Sequence, residues 1–213
     1  MKTKIISTLF LAFALVASSF LVLKDGESIS IGTKAPMSSH KMMGADGAEY
    51  SLESLKKENG LLVVFSCNTC PFVVGRGTDT EGWEGRYASL KTQCDKAKVG
   101  MVLINSNEAK RDKGDSMEDM KSHAAEAGIG HIPYVMDEKH KVADAFGAKT
   151  TPHVFLFNAD MKLGYKGAID DNVDKASEVG EHWVINSLAN MSTGKPIDPQ
   201  ETRATGCSIK RVK

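Results

Sequence analysis

Two short, unbroken apolar runs stand out along the chain: "LLVVFS" at 61–66 and "VGMVLIN" at 99–105. Such runs are the pattern of strands covered on both faces. Between and after them the apolar positions spread out. Residues 116–127 read as an amphipathic helix, 134–136 as a short strand and 139–146 as a helical stretch. "HVFLF" at 153–157 reads as another strand, "KLGYKGAI" completes a hairpin with it, and 181–189 form a terminal helix. Upstream, Asp46-Gly47 is a hairpin-turn signal between two short segments able to pair, and Ser51 offers a helix cap ahead of Leu52 and Leu55. Strand and helix patterns alternate, so the expectation is an α/β fold: a central mixed sheet flanked by helices, preceded by a β-hairpin extension. That domain spans 31–194. Residues 195–213 read as an irregular carboxy-terminal extension laid over the surface, with Lys210, Arg211 and Lys213 as a solvated basic end.

The first 23 residues form a separate unit. Lys2 and Lys4 precede an apolar run from Ile5 to Ala17 that ends in small residues, and the apolar character resumes through Leu23. This is the pattern of an export signal peptide, with an uncleaved membrane anchor as the competing reading and a buried core helix as the third. Either of the first two places the remaining chain in the periplasm or another extracytoplasmic space, where disulfides persist.

Charge narrows the function classes. The 213 residues carry 27 basic and 27 acidic side chains, so no long-range field favours nucleic acid, anionic lipid or an acidic substrate. Nucleic-acid binding is set aside.

The chemistry concentrates in "SCNTCPF" at 66–72. Cys67 and Cys70 sit where a buried strand ends, and Pro71 is tolerated in the first turn of a helix. The helix beyond is weakened by Gly75, Gly77, Gly82 and Gly85, predicting a break near 77–80 before a second segment with Trp83 and Tyr87 in the core. A pair so placed serves as metal ligands, a structural staple or a redox couple. Zinc needs two further ligands, and no HxxxH or HxxH pair occurs among the six histidines. For a redox couple the helix amino terminus favours a thiolate at Cys67, predicted to be the exposed attacking thiol with a lowered pKa. Cys70, one turn away, then resolves the mixed disulfide. No cofactor is called for.

Further motifs carry a resemblance. "IGTKAP" at 31–36, "CNTCPFV" at 67–73, "INSN" at 104–107, "TTPHVFLF" at 150–157, "YKGAIDD" at 165–171 and "GCSIK" at 206–210 together resemble the thioredoxin superfamily. Within it they match the redoxin, peroxiredoxin-like branch that carries CNxCP and a terminal GCxIK motif. The resemblance implies a thioredoxin-like fold. It also implies a cis Thr151-Pro152 bond facing the cysteines, with Thr151 and Pro152 holding the extended chain of a thiol- or disulfide-containing protein client, and a further redox partner. Two departures speak against a peroxidase. Aligned on the peroxidatic cysteine of peroxiredoxins, Cys67 falls where their threonine belongs and Val63 where their proline belongs, and Pro152 replaces their arginine. The buried aspartate of thioredoxin corresponds here to Leu61, which leaves the proton acceptor for Cys70 unassigned. The expected activity is therefore thiol-disulfide exchange, with a weak thiol peroxidase using Cys70, or a binding module that keeps the fold, as alternatives.

Two cysteines remain. Cys94 and Cys207 read as buried apolar residues, as a disulfide with each other, or, for Cys207, as an auxiliary thiol of the site. His153 is a candidate modulator of the thiolate, against a packed or solvated strand-end histidine.

Overall fold

The computed structural model describes residues 27–213; the leader at 1–23 lies outside the described residues. Among those described, no helix is long and apolar enough to cross a membrane. The amino-terminal hairpin forms as expected, with β1 (Met42–Gly44) antiparallel to β2 (Glu49–Tyr50). Ser51 caps α1 (Leu52–Leu55) through a reciprocal box with Ser54. The chain then runs through β3 (Gly60–Ser66), α2 (Pro71–Val74), α3 (Tyr87–Lys96), β4 (Val99–Asn105), α4 (Met117–Glu126), β5 (Tyr134–Met136) and α5 (Lys141–Phe146). It finishes with β6 (Thr150–Thr151), β7 (His153–Phe157), β8 (Leu163–Gly167), α6 (Trp183–Ser192) and β9 (Cys207–Ser208).

Seven strands make one sheet in the order β2-β1-β5-β4-β3-β7-β8. β3 and β4, buried at every position, run parallel in its middle, and β7 pairs antiparallel with β3. The fold is the mixed, helix-flanked sheet that the alternation of patterns predicts. Successive residues of β3 serve opposite faces. Leu62 and Val64 join Trp83, Tyr87, Leu90, Tyr165 and Leu188 on one side, while Leu61, Val63 and Phe65 join Val142, Phe146 and Phe155 on the other. On the second face Phe146 meets Phe65, Phe155 and Phe157 edge-on at centroid separations of 5.4, 5.2 and 5.7 Å, the geometry favoured by the ring quadrupole. The sheet's central strands are thus clamped from both sides just where β3 delivers the CxxC.

The expected break after the cysteines is present. α2 ends after one turn at Gly75 (φ +84°), whose backbone lies too close to Thr80 and Glu81 for a side chain. The carboxy-terminal stretch differs from a solvated tail. It has little regular structure, yet Ile209 is buried in the core and its N–H donates to the Lys149 carbonyl. Arg211 pairs with Asp144 at 2.7 Å and donates to the Ala148 carbonyl. The amphipathic contacts that hold it are with residues some sixty positions or more away, which a local reading of charge does not register.

Candidate active site: three cysteines around Thr151

Register places the site. Phe65 on β3 pairs with His153 on β7, and continuing that register by two residues brings Cys67 opposite Thr151. The Cys67 Sγ lies 3.2 Å from Thr151 Oγ1, and the Cys70 thiol reaches the Thr151 carbonyl at 3.1 Å. The Thr151-Pro152 bond is cis, and Asp198-Pro199 is a second cis bond that the sequence did not signal. The structure therefore brings Cys67, Cys70, Thr151 and Pro152 together as anticipated.

It adds Cys207 to them. β9 pairs antiparallel with β6, with Cys207 directly opposite Thr151. Cys207 packs against the same buried cluster as Cys67 and Cys70, and the Thr151 carbonyl beside it lies 3.1 Å from the Cys70 sulfur. A Cys94-Cys207 disulfide is not formed: both are free thiols, and Cys94 is sealed in the core on α3, where burial pushes its pKa up to about 12. The edge beside Thr151, expected to receive a client's extended chain, is occupied by the protein's own terminal strand.

The pKa directions of the two motif cysteines run opposite to the expectation. The helix begins at Pro71 with Cys70 at its cap, so Cys67, just past the end of β3, lies short of the helix terminus. Cys67 is 1% exposed and Cys70 3%. Cys67 is held well above the usual thiol range, first by its hydrogen bond to Cys70, then by burial and by the charge of Asp115. Cys70 is lowered to about 5, chiefly by the Cys67 S–H donor and further by the Cys207 and Thr151 donors, against the opposing effect of burial. These directions favour Cys70 over Cys67 as the thiolate of the pair.

The Asn68-Thr69 spacer is fixed by groups that sequence reasoning missed. Asp115, completely buried, accepts the Asn68 N–H at 2.8 Å and the Thr69 hydroxyl at 2.9 Å. It also accepts from the amides of Asn105 and Asn107 at 2.8 and 3.1 Å. The Tyr134 hydroxyl donates to Asn68 Oδ1, and Asn68 Nδ2 to the Gly114 carbonyl. With four donors on its oxygens, Asp115 is committed to orienting the loop. The Arg111 guanidinium donates to Asn105, to the Asp137 carbonyl and to the Asp115 carbonyl. Among the described residues neither Lys nor Arg donates a hydrogen bond to Cys67 or Cys70, and no group of three or more His, Cys, Asp or Glu is arranged to hold a metal ion.

His153 does not act on the sulfurs. It is packed against Phe155 and accepts the Lys149 N–H at Nδ1, and burial, with the charges of Lys166 and Lys149, pulls its pKa down to about 3.

Comparison with known proteins agrees with the fold. An uncharacterized conserved protein from Geobacillus kaustophilus superposes with a TM-score of 0.75 at 30% identity, over 86% of this chain and 93% of that one. A hypothetical protein from Sinorhizobium meliloti 1021 gives 0.76 at 28% identity, over 87% and 97%. The peroxidoxin BcpB from Mycobacterium tuberculosis shares the fold at 14% identity, with a TM-score of 0.51 over 79% and 96%. No curated protein matches the chain. Residues 30–181 match the Redoxin family. With a thioredoxin-like fold and clustered thiols in place, the chain belongs to the Redoxin family, in the thioredoxin superfamily, and is a thiol redox protein.

Proposed function

We propose that the protein is an exported thiol-disulfide oxidoreductase that exchanges electrons with protein clients through Cys67 and Cys70. The observation that carries this reading is the contact of both sulfurs with Thr151, immediately before Pro152. In the reduced state Cys70 holds the thiolate and Cys67, sealed beneath it, is the inner partner that closes the disulfide. Thr151 and Pro152 frame the sulfurs on the client side. The leader at 1–23 supports export, with retention at the membrane where it is not cleaved; amino-terminal sequencing of protein from fractionated cells checks this, and intact protein in the cytosol would remove it.

The test is catalysed reduction of a peptide disulfide with dithiothreitol as donor. Wild-type protein should accelerate it, and Cys70→Ser should lose at least about tenfold of that acceleration. Equal rates would overturn the reading. Mixing with hydrogen peroxide separates the peroxidase alternative. The threonine and arginine of a peroxiredoxin site are replaced at the matching positions by Cys67 and Pro152, so reduction should be slow. Fast, Cys70-dependent peroxide turnover would favour that alternative.

A further inference from the structure

The mechanism above leaves one difficulty. Its two sulfurs are 1% and 3% exposed, and the strand edge beside Thr151 is taken. The residue that takes it is a cysteine. Cys207 is partly exposed, lies opposite Thr151, whose carbonyl oxygen is 3.1 Å from the Cys70 sulfur, and packs against the cluster that holds Cys67 and Cys70. Its placement is built in several ways. Gly206 lets the backbone approach Thr151 so closely that a Cβ there would lie 2.3 Å from the Thr151 carbonyl oxygen. Beyond Cys207, the Lys210 N–H donates to Asn107 Oδ1, and Asn107 in turn donates to Asp115, the carboxylate that orients the CxxC spacer. The terminal strand and the CxxC loop are therefore held by one hydrogen-bond network.

We infer that Cys207 is the relay thiol of this protein, carrying electrons between the buried Cys67/Cys70 pair and disulfides of protein clients. The inference rests on the exchange reading and specifies its path. In the reduced protein Cys70 is the thiolate, and Cys207 releases its proton to solvent. The Cys207 thiolate attacks a client disulfide, forming a Cys207-client bond as the first client sulfur leaves as thiolate. The Cys70 thiolate attacks Cys207 Sγ; the Cys70-Cys207 bond forms and the second client sulfur leaves as thiolate. Cys67 then loses its proton and attacks Cys70 Sγ, forming Cys67-Cys70 and returning Cys207 as thiolate. The client has gained two electrons and the inner pair has lost two, while the departing thiolates take up the released protons. Every step is thiol-disulfide exchange, so the path also runs in reverse.

Three measurements test it. Cys207→Ser should slow dithiothreitol-driven reduction of a peptide disulfide by about tenfold or more, while its Cys67-Cys70 disulfide still forms and titrates against dithiothreitol. Cys67→Ser, oxidised with diamide and digested after acid quenching, should show a Cys70-Cys207 disulfide by mass spectrometry. A Cys207→Ser protein that reduces the peptide at the wild-type rate overturns the relay and leaves the exchange reading intact, as does Cys67→Ser yielding no Cys70-Cys207 bond. Wild-type protein without exchange activity removes both. The mass-spectrometric readout stands even if Cys207→Ser folds poorly.

Discussion

Gly206 passes so close to Thr151 that a methyl group on it would overlap the Thr151 carbonyl oxygen, the same oxygen that meets the Cys70 thiol. A single backbone contact thus joins the terminal strand to the reacting sulfurs. Gly206→Ala must push β9 away from β6, because the obstructing atom is backbone and cannot swing aside. We expect a loss of about 1–3 kcal/mol in stability, together with faster alkylation of Cys207. Unchanged Cys207 labelling would show that the terminal strand is not held by this approach.

Asp115 gives a second handle. Replacing it by Asn turns one acceptor oxygen into an amide that faces donors from two of Asn68, Thr69, Asn105 and Asn107. Leaving such buried donors unpaired costs roughly 1–3 kcal/mol each, so the urea midpoint should fall with an unchanged slope. The loss of the carboxylate charge should also lower the Cys67 pKa, since Asp115 helps to raise it. Wild-type stability in Asp115→Asn would mean that the spacer is held by other bonds.

What was legible in the sequence followed from local pattern. β4, β5 and β7 fall where their apolar runs predict, because strands buried on both faces admit few polar residues. Cys67, Cys70, Thr151 and Pro152 were readable as a site from the CxxC and a proline ahead of a strand. The exposure of Cys67 was not. That depends on where the helix starts, and a shift of the cap to Cys70 moves the favourable end of the helix from one sulfur to the other. Asp115 was invisible for a different reason: it lies 47 positions from Asn68 in an ordinary polar stretch, and only the fold turns it inward. Cys207 was visible as a candidate but not as a neighbour of Cys70, because the pairing of β9 with β6 joins two-residue strands that carry no period of their own.

The charge on Cys70 makes the stability of the reduced protein depend on pH. An unfolded thiol titrates near 9.0, and the folded Cys70 near 5. The folded state therefore binds fewer protons than the unfolded state between these values, and stability rises with pH across that window. Below about 5 this contribution is absent. Above 9.0 the raised Cys67 acts in the opposite sense, because the unfolded state ionises there before the folded one does. Urea unfolding of reduced wild-type protein from pH 5 to 9 should show the rise, and the Cys67-Cys70 oxidised form and Cys70→Ser should lack it. An identical slope in all three would place the thiolate elsewhere.

His153 works on a lower pH range, and in the oxidised protein it can be read without interference from Cys70. Its folded pKa, about 3, lies below the ordinary 6.5 because burial and the charges of Lys166 and Lys149 disfavour the imidazolium. As pH falls from 6.5 toward 3, the unfolded chain takes up a proton that the folded chain refuses, and stability drops by up to roughly 1.4 kcal/mol per pH unit. Simple removal of the ring would open a cavity beside Phe155 and orphan the Lys149 N–H, confusing the two effects. His153→Asn keeps an acceptor near the Nδ1 position while abolishing the titration. The variant should be less stable than wild type at neutral pH through lost packing, yet its stability should fall less steeply with acid. The two curves should converge as pH approaches 3. Parallel curves would mean that the buried imidazole is not a source of acid sensitivity, and that the acid limit of this fold lies in its carboxylates.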